Sequence, residues 1–94
     1  MTETRTVRLL VTGRVQGVGY RAWTHHQAEL RGLRGWVRNR ADGAVEAVVS
    51  GEPGAVELMI EVCREGPRSA QVDRVEAEEG DFGAGEGFEV RATG

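Results

Sequence analysis

The hydrophobic period of the chain changes from two to about 3.6 across a short glycine-rich joint, and this switch constrains the fold more than any other feature. Val7, Leu9 and Val11 alternate with Thr6, Arg8, Leu10 and Thr12, which predicts a strand over residues 6–12 with one buried face. The joint Gly13-Arg14-Val15-Gln16-Gly17-Val18-Gly19-Tyr20-Arg21 follows at once. A helix is expected from Arg21 to Gly32, with Tyr20, Trp23, Leu30 and Leu33 as inward anchors and Gly32 as its stop. A loop of small residues between a strand and a helix sets backbone N–H groups beside the unpaired donors of the helix N-terminus, and so builds a cradle for an anion such as phosphate. Arg21 adds a full positive charge and a planar fork of donors at the end of that loop.

The remaining segments set the order of elements. Gly35 to Asn39 is expected to be a second strand. Val45, Ala47 and Val49 line one face of a third, and Asp42-Gly43 forms the turn between them. Pro53 opens a second helix in which Val56, Met59, Ile60 and Cys63 recur at i, i+3, i+4 and i+7, with Leu58 and Val62 widening the buried face and Gly66-Pro67 ending it. Residues 70–78 read as a fourth strand. There Val72 and Val75 break strict alternation and predict a bulge. Phe88-Glu89-Val90-Arg91 closes the series, after a surface loop from Glu79 to Gly87. This order predicts an α+β fold, the ferredoxin-like split βαβ sandwich: βαββαβ plus a short C-terminal strand, with two helices on one face of a largely antiparallel sheet. In that layout the first two strands run parallel with the third between them, so their C-terminal ends emerge at one edge of the sheet. The glycine loop and Asn39 should therefore meet there, about 9 to 10 Å apart at the backbone.

At 94 residues the chain is expected to form one domain over 1–94, with its core at about 6–91. No apolar run is long enough for a transmembrane helix, and Met1 to Thr6 lacks the apolar stretch of a secretory signal, so no membrane association and a cytoplasmic location are expected. The formal charge of −3 hides an uneven distribution. Residues 1–50 carry eight arginines against four acids, and residues 51–94 four arginines against eleven acids. Positive charge accompanies the loop and suits a small anion, whereas the acidic second half disfavours nucleic acid. Aromatic residues make up only 5% of the chain, too few for the stacking face of an RNA-binding ferredoxin-like domain. All basic residues are arginine, which excludes a phosphate-loop lysine, a Schiff base and a lysine general base.

Other polar groups read as structure. Cys63, the single cysteine, falls on the stripe of the second helix and is expected to be buried. His25 and His26 are neighbours whose side chains diverge by about 100°, so they do not form an i, i+4 metal pair. Glu76, Glu78, Glu79 and Asp81 read as a solvated face, Arg14, Arg38 and Arg40 as solvated arginines at strand ends, and Trp23 and Trp36 as packing residues. No metal and no cofactor are expected.

Gly13, Val15, Gln16, Gly17, Val18, Tyr20 and Arg21 match a G-x-V-Q-G-V-x-[FY]-R loop, and Gly35, Trp36, Val37, Asn39, Asp42, Gly43, Val45 and Glu46 match a G-W-V-x-N-x-x-D-G-x-V-E segment. On these two motifs the chain resembles the acylphosphatases, small ferredoxin-like enzymes that hydrolyse carboxyl phosphates, and the resemblance runs over residues 7–91. It implies that Arg21 binds phosphate, that Asn39 orients the attacking water, and that the loop of Val15, Gln16, Gly17, Val18, Gly19 and Tyr20 binds phosphate oxygens. It also implies a small acyl phosphate as substrate and a monomer needing no cofactor. Two positions depart from the family. Tyr20 stands where phenylalanine is common, and Arg31 where leucine is common, which would leave Leu30 to cover the core. A non-catalytic phosphate- or anion-binding regulatory module on the same fold is the alternative reading.

Overall fold

The computed structural model describes residues 3–94. The expected domain over 1–94 and the leader-free reading of Met1 to Thr6 both include Met1 and Thr2, which lie outside the described residues. Seven elements follow in order: β1 (Arg5–Arg14), α1 (Tyr20–Leu30), β2 (Arg34–Asn39), β3 (Val45–Gly51), α2 (Pro53–Glu65), β4 (Gln71–Glu79) and β5 (Phe88–Val90). They form a five-stranded sheet in the order β4-β1-β3-β2-β5. β3 is antiparallel to both β1 and β2, which makes those two parallel, and β5 adds a parallel edge strand beside β2. This is the expected ferredoxin-like α+β arrangement, with both helices packed on the sheet.

The predicted patterns explain the core. Val7, Leu9 and Val11 are fully buried, as are Val45 and Val49, and they face Val56, Met59 and Cys63 of α2. β4 carries the expected bulge: Thr12 lies opposite Arg74 but Gly13 opposite Val72, which leaves Asp73 as the extra residue. α2 begins at Pro53, with the Glu52 carboxylate accepting from the N–H groups of Gly54 and Ala55, and it ends at Gly66, whose N–H donates to the Val62 carbonyl.

Two expectations about packing are corrected. Leu30 does not cover the core but is 66% exposed, because the buried row of α1 is Tyr20, Thr24 and Ala28, and Leu30 lies about 200° around the helix from Ala28. Leu58 is likewise exposed, standing about 200° from Val56, while Val62 sits at the margin of the stripe and is partly buried. The third strand is buried on both faces, since Glu46, Val48 and Ser50 are nearly as inaccessible as Val45, Ala47 and Val49.

Candidate active site

The C-terminal ends of β1 and β2 emerge at the same sheet edge, and a cleft of about 260 Å³ opens there. Val15, Gly17, Gly19, Tyr20, Arg21, Ala22, Asn39 and Val90 line it. The structure therefore brings the glycine loop, Arg21 and Asn39 together, as the topology requires.

The loop owes its shape to two glycines. Gly17 and Gly19 have φ of 74° and 81°, in the left-handed region, while no residue other than glycine in the described chain has a positive φ. Left-handed residues set among right-handed ones turn successive N–H groups toward one side, the geometry of an anion-binding concavity. A Cβ added at either glycine would meet no atom within 4 Å, so the backbone here borders open space. Gly19 is also the N-cap of α1, and its carbonyl accepts from Trp23 N at 3.0 Å.

The two helices differ at their starts. Glu52 occupies the first donors of α2, whereas no side chain caps α1 and its first turn carries no acid. The N–H groups of Tyr20, Arg21 and Ala22 belong to that uncapped turn, where helix geometry supplies no partner, and all three residues line the cleft. Arg21 is half-buried, and its side chain makes no hydrogen bond or ion pair with the described residues. The cleft thus gathers a full charge, the positive end of a helix dipole and free backbone donors, with no carboxylate among its lining residues.

Asn39 is the last residue of β2. It lies two positions after core residue Val37 and so shares the helix-facing side of the sheet. Its carbonyl accepts from Gly94 N at 3.0 Å, which ties the end of β2 to the segment after β5. Its side-chain Oδ1 is buried and accepts no hydrogen bond from the protein. A buried amide oxygen without a partner is destabilising unless a ligand or water supplies the donor.

The loop residues expected to bind phosphate divide into two groups. Val15, Gly17, Gly19 and Tyr20 border the cleft, but Gln16 and Val18 do not. The Gln16 amide donates to the carbonyls of Arg40 and Ala44, and Val18 packs against the core while its carbonyl accepts from Ser69 Oγ at 2.7 Å. The Tyr20 ring is buried with its hydroxyl on the Cys63 carbonyl at 2.7 Å, so only its backbone is placed to serve the cleft. Ala22 and Val90 were not foreseen as lining residues. Val90 is an exposed apolar side chain beside Val37 on a parallel edge strand, a pairing that local sequence does not reveal.

Of the three arginines expected to be solvated, Arg14 is exposed, but Arg38 and Arg40 are held by carboxylates. Arg38 Nε donates to Glu46 Oε1 at 2.7 Å, Arg8 Nε to Glu46 Oε2 at 2.5 Å, and Arg40 lies 4.0 Å from the same carboxylate. Burial of Glu46 raises its pKa, but the hydrogen bonds from Arg38 and Arg8 outweigh it and hold the carboxyl below the usual range. Arg38 and Arg91 also lie over the Trp36 ring. These arginines hold the open face of the sheet together and do not reach the cleft. Among the described residues, no group of three or more His, Cys, Asp or Glu side chains is placed to hold a metal ion, and no helix is long and apolar enough to cross a membrane.

A family model described as Acylphosphatase matches residues 7–90. An acylphosphatase of Azorhizobium caulinodans is 54% identical over 91 residues, covering 96% of this chain and 98% of its own. The structure of an acylphosphatase from Coxiella burnetii superposes with a TM-score of 0.89 at 36% identity, covering 94% of this chain and 93% of that one. An acylphosphatase crystal structure from Bacillus subtilis gives 0.86 at 34% identity, with 93% and 98% covered.

Proposed function

The chain belongs to the acylphosphatase family and hydrolyses acyl phosphates to a carboxylate and inorganic phosphate, and we propose that this reaction takes place in the cleft between the Gly17–Arg21 turn and Asn39. The observation that carries the assignment is the buried, unpartnered Oδ1 of Asn39 in the same cleft as the free Arg21 guanidinium and the uncapped start of α1.

An acyl phosphate is a mixed anhydride with a stable carboxylate as leaving group, so its cleavage needs no strong general acid. The demand falls on stabilising charge at the equatorial phosphate oxygens and on placing water in line. Arg21 and the loop N–H groups meet the first demand, acting as preorganised donors that need not reorient during reaction. Asn39 meets the second. Its Oδ1 accepts a hydrogen bond from the water and its Nδ2 donates to the phosphate, which fixes the nucleophile without deprotonating it. Among the described residues no carboxylate or imidazole lines the cleft, so the proton passes to a substrate phosphate oxygen. The enzyme is proposed to act as a monomer. The acidic second half argues against a nucleic acid partner, and the single free cysteine fits a cytoplasmic enzyme.

Phosphate release from acetyl phosphate and benzoyl phosphate, set against ordinary phosphate esters, tests the reading. Arg21→Gln should lower kcat/KM by about 10² or more. Asn39→Ala should cut turnover to a small but measurable residual rate while inorganic phosphate still inhibits or binds. Near-normal turnover in both variants would overturn the residue assignment.

A further inference from the structure

We propose that Gln16 is a positioning residue that clips the phosphate loop to the hairpin bearing Asn39, and that this clip sets the register between bound phosphate and attacking water. The proposal rests on the reading of Arg21 and Asn39 given above. Gln16 lies inside the loop motif, yet its side chain turns away from the cleft. Nε2 donates to the carbonyl of Arg40 and to the carbonyl of Ala44, both at 2.8 Å. Two carbonyl acceptors at one amide fix its orientation, because only the NH₂ end can donate.

The position of those carbonyls gives the contact its consequence. Arg40 is the residue after Asn39, and Ala44 is the residue before β3, so the pair forms the neck of the β2–β3 turn. The neck is closed by Arg40 N on Ala44 O at 2.8 Å, and the turn by Gly43 N on Arg40 O and Ala44 N on Asp42 Oδ1. The Gln16 amide adds its two bonds to this closed unit. Among the described residues, no other hydrogen bond joins residues 15–19 to residues 39–45. The ladder between β1 and β3 stops at Val11 and Val45, short of Gln16 and of the neck at Arg40 and Ala44.

The loop itself has other anchors. Ser69 Oγ holds the Val18 carbonyl, Val15 is buried in the core, and Gly19 begins α1. Loss of the clip therefore leaves the phosphate cradle in place and frees the Asn39 hairpin to shift relative to it. Because hydrolysis depends on in-line geometry, a displacement of about 1 Å is enough to lower turnover by up to 10²-fold.

The test is a double-mutant cycle of Gln16→Met with Asn39→Ala, reading kcat with benzoyl phosphate and the inhibition constant of inorganic phosphate. Gln16→Met keeps length and bulk but removes both donors. It should lower kcat about 10-fold and change phosphate inhibition less than about 2-fold. In the Asn39→Ala background the same substitution should lower the residual rate less than about 2-fold, because its effect acts through Asn39. Gln16→Glu, which sets a carboxylate against the two carbonyls, should show the same split between kcat and phosphate inhibition and serves if Gln16→Met does not fold. An unchanged kcat, a parallel loss of phosphate affinity, or a fully additive loss with Asn39→Ala would overturn the proposal. If the unmodified protein released no phosphate from any acyl phosphate, the activity itself would fail instead, which the same assay distinguishes.

Discussion

Removing the two arginines that hold Glu46 should turn a stabilising carboxylate into a destabilising one, and the sign of a second substitution tests this directly. Glu46 is the second residue of the central strand β3, with its side chain 6% exposed. Arg38 lies directly across from it on β2, and Arg8 reaches it from β1. In Arg8→Met/Arg38→Met the carboxylate keeps its burial but loses both short hydrogen bonds, leaving only Arg40 at 4.0 Å. A hydrogen bond to a charged group contributes about 1.5–3 kcal/mol. Solvent screens these arginines, which are about a quarter to a third exposed, so about 1–2 kcal/mol for each is a fairer value. The double variant should then lose about 3 kcal/mol, a fall in Tm of roughly 10–20 °C for a domain of this size.

Glu46→Gln separates this mechanism from loss of packing. In the unmodified protein it removes a well-paired charge and should destabilise by about 1–2 kcal/mol. In the double variant it removes an uncompensated buried charge and should stabilise by a similar amount. The pH dependence follows the same logic. The native carboxyl sits below its unfolded value, so its contribution is complete above about pH 4.5 and is lost as pH falls through the folded pKa. Without Arg8 and Arg38, burial prevails and raises the pKa, so acid relieves the penalty and the stability gap between the two proteins narrows as pH falls. Urea titrations from pH 7 to pH 3.5 measure both effects. The same sign for Glu46→Gln in the two backgrounds would refute the argument.

Three further outcomes are expected. Tyr20→Phe removes the donor to the Cys63 carbonyl, whose usual helical partner would be residue 67, a proline without N–H; thermal unfolding should show a loss of about 1–2 kcal/mol with kcat little changed. Burial pushes the Cys63 thiol up to about 11, so a thiol reagent at pH 8 should label the native protein only at its unfolding rate and the urea-unfolded chain at once; prompt labelling of the native state would contradict the packing. Glu52→Ala leaves the Gly54 and Ala55 N–H groups without their cap and should cost about 1 kcal/mol in urea unfolding.

The fold was legible where a hydrophobic period survived long enough to be counted, and opaque where burial depended on a neighbour. The α2 stripe of Val56, Met59, Ile60 and Cys63 is purely local and lies where the spacing puts it. α1 misled because its buried row is made of Tyr20, Thr24 and Ala28, so its largest aliphatic side chain, Leu30, is not its core residue. The burial of Glu46 is hidden for a different reason. A charged residue in a strand reads as solvent-facing, and only the register of three strands brings Arg8 and Arg38 over it. Gln16 is similar, since its acceptors lie 24 and 28 residues away and are backbone atoms with no residue signature.

The candidate site was legible because its chemistry rests on what the chain omits as much as on what it contains. A helix start is ordinarily closed by a side-chain acceptor, and this chain closes α2 with Glu52. At α1 the same position is Gly19, and the first turn holds Arg21 in place of an acid. A carboxylate there would occupy the free donors and neutralise Arg21, stabilising the helix while blocking the cradle to phosphate. Asn39 repeats the pattern on the facing strand, where a buried oxygen is left without a protein donor although full pairing would favour stability. Both departures from local stability face one cleft, and both would be relieved by the occupant proposed above: a phosphate on the helix side with a water held against the asparagine.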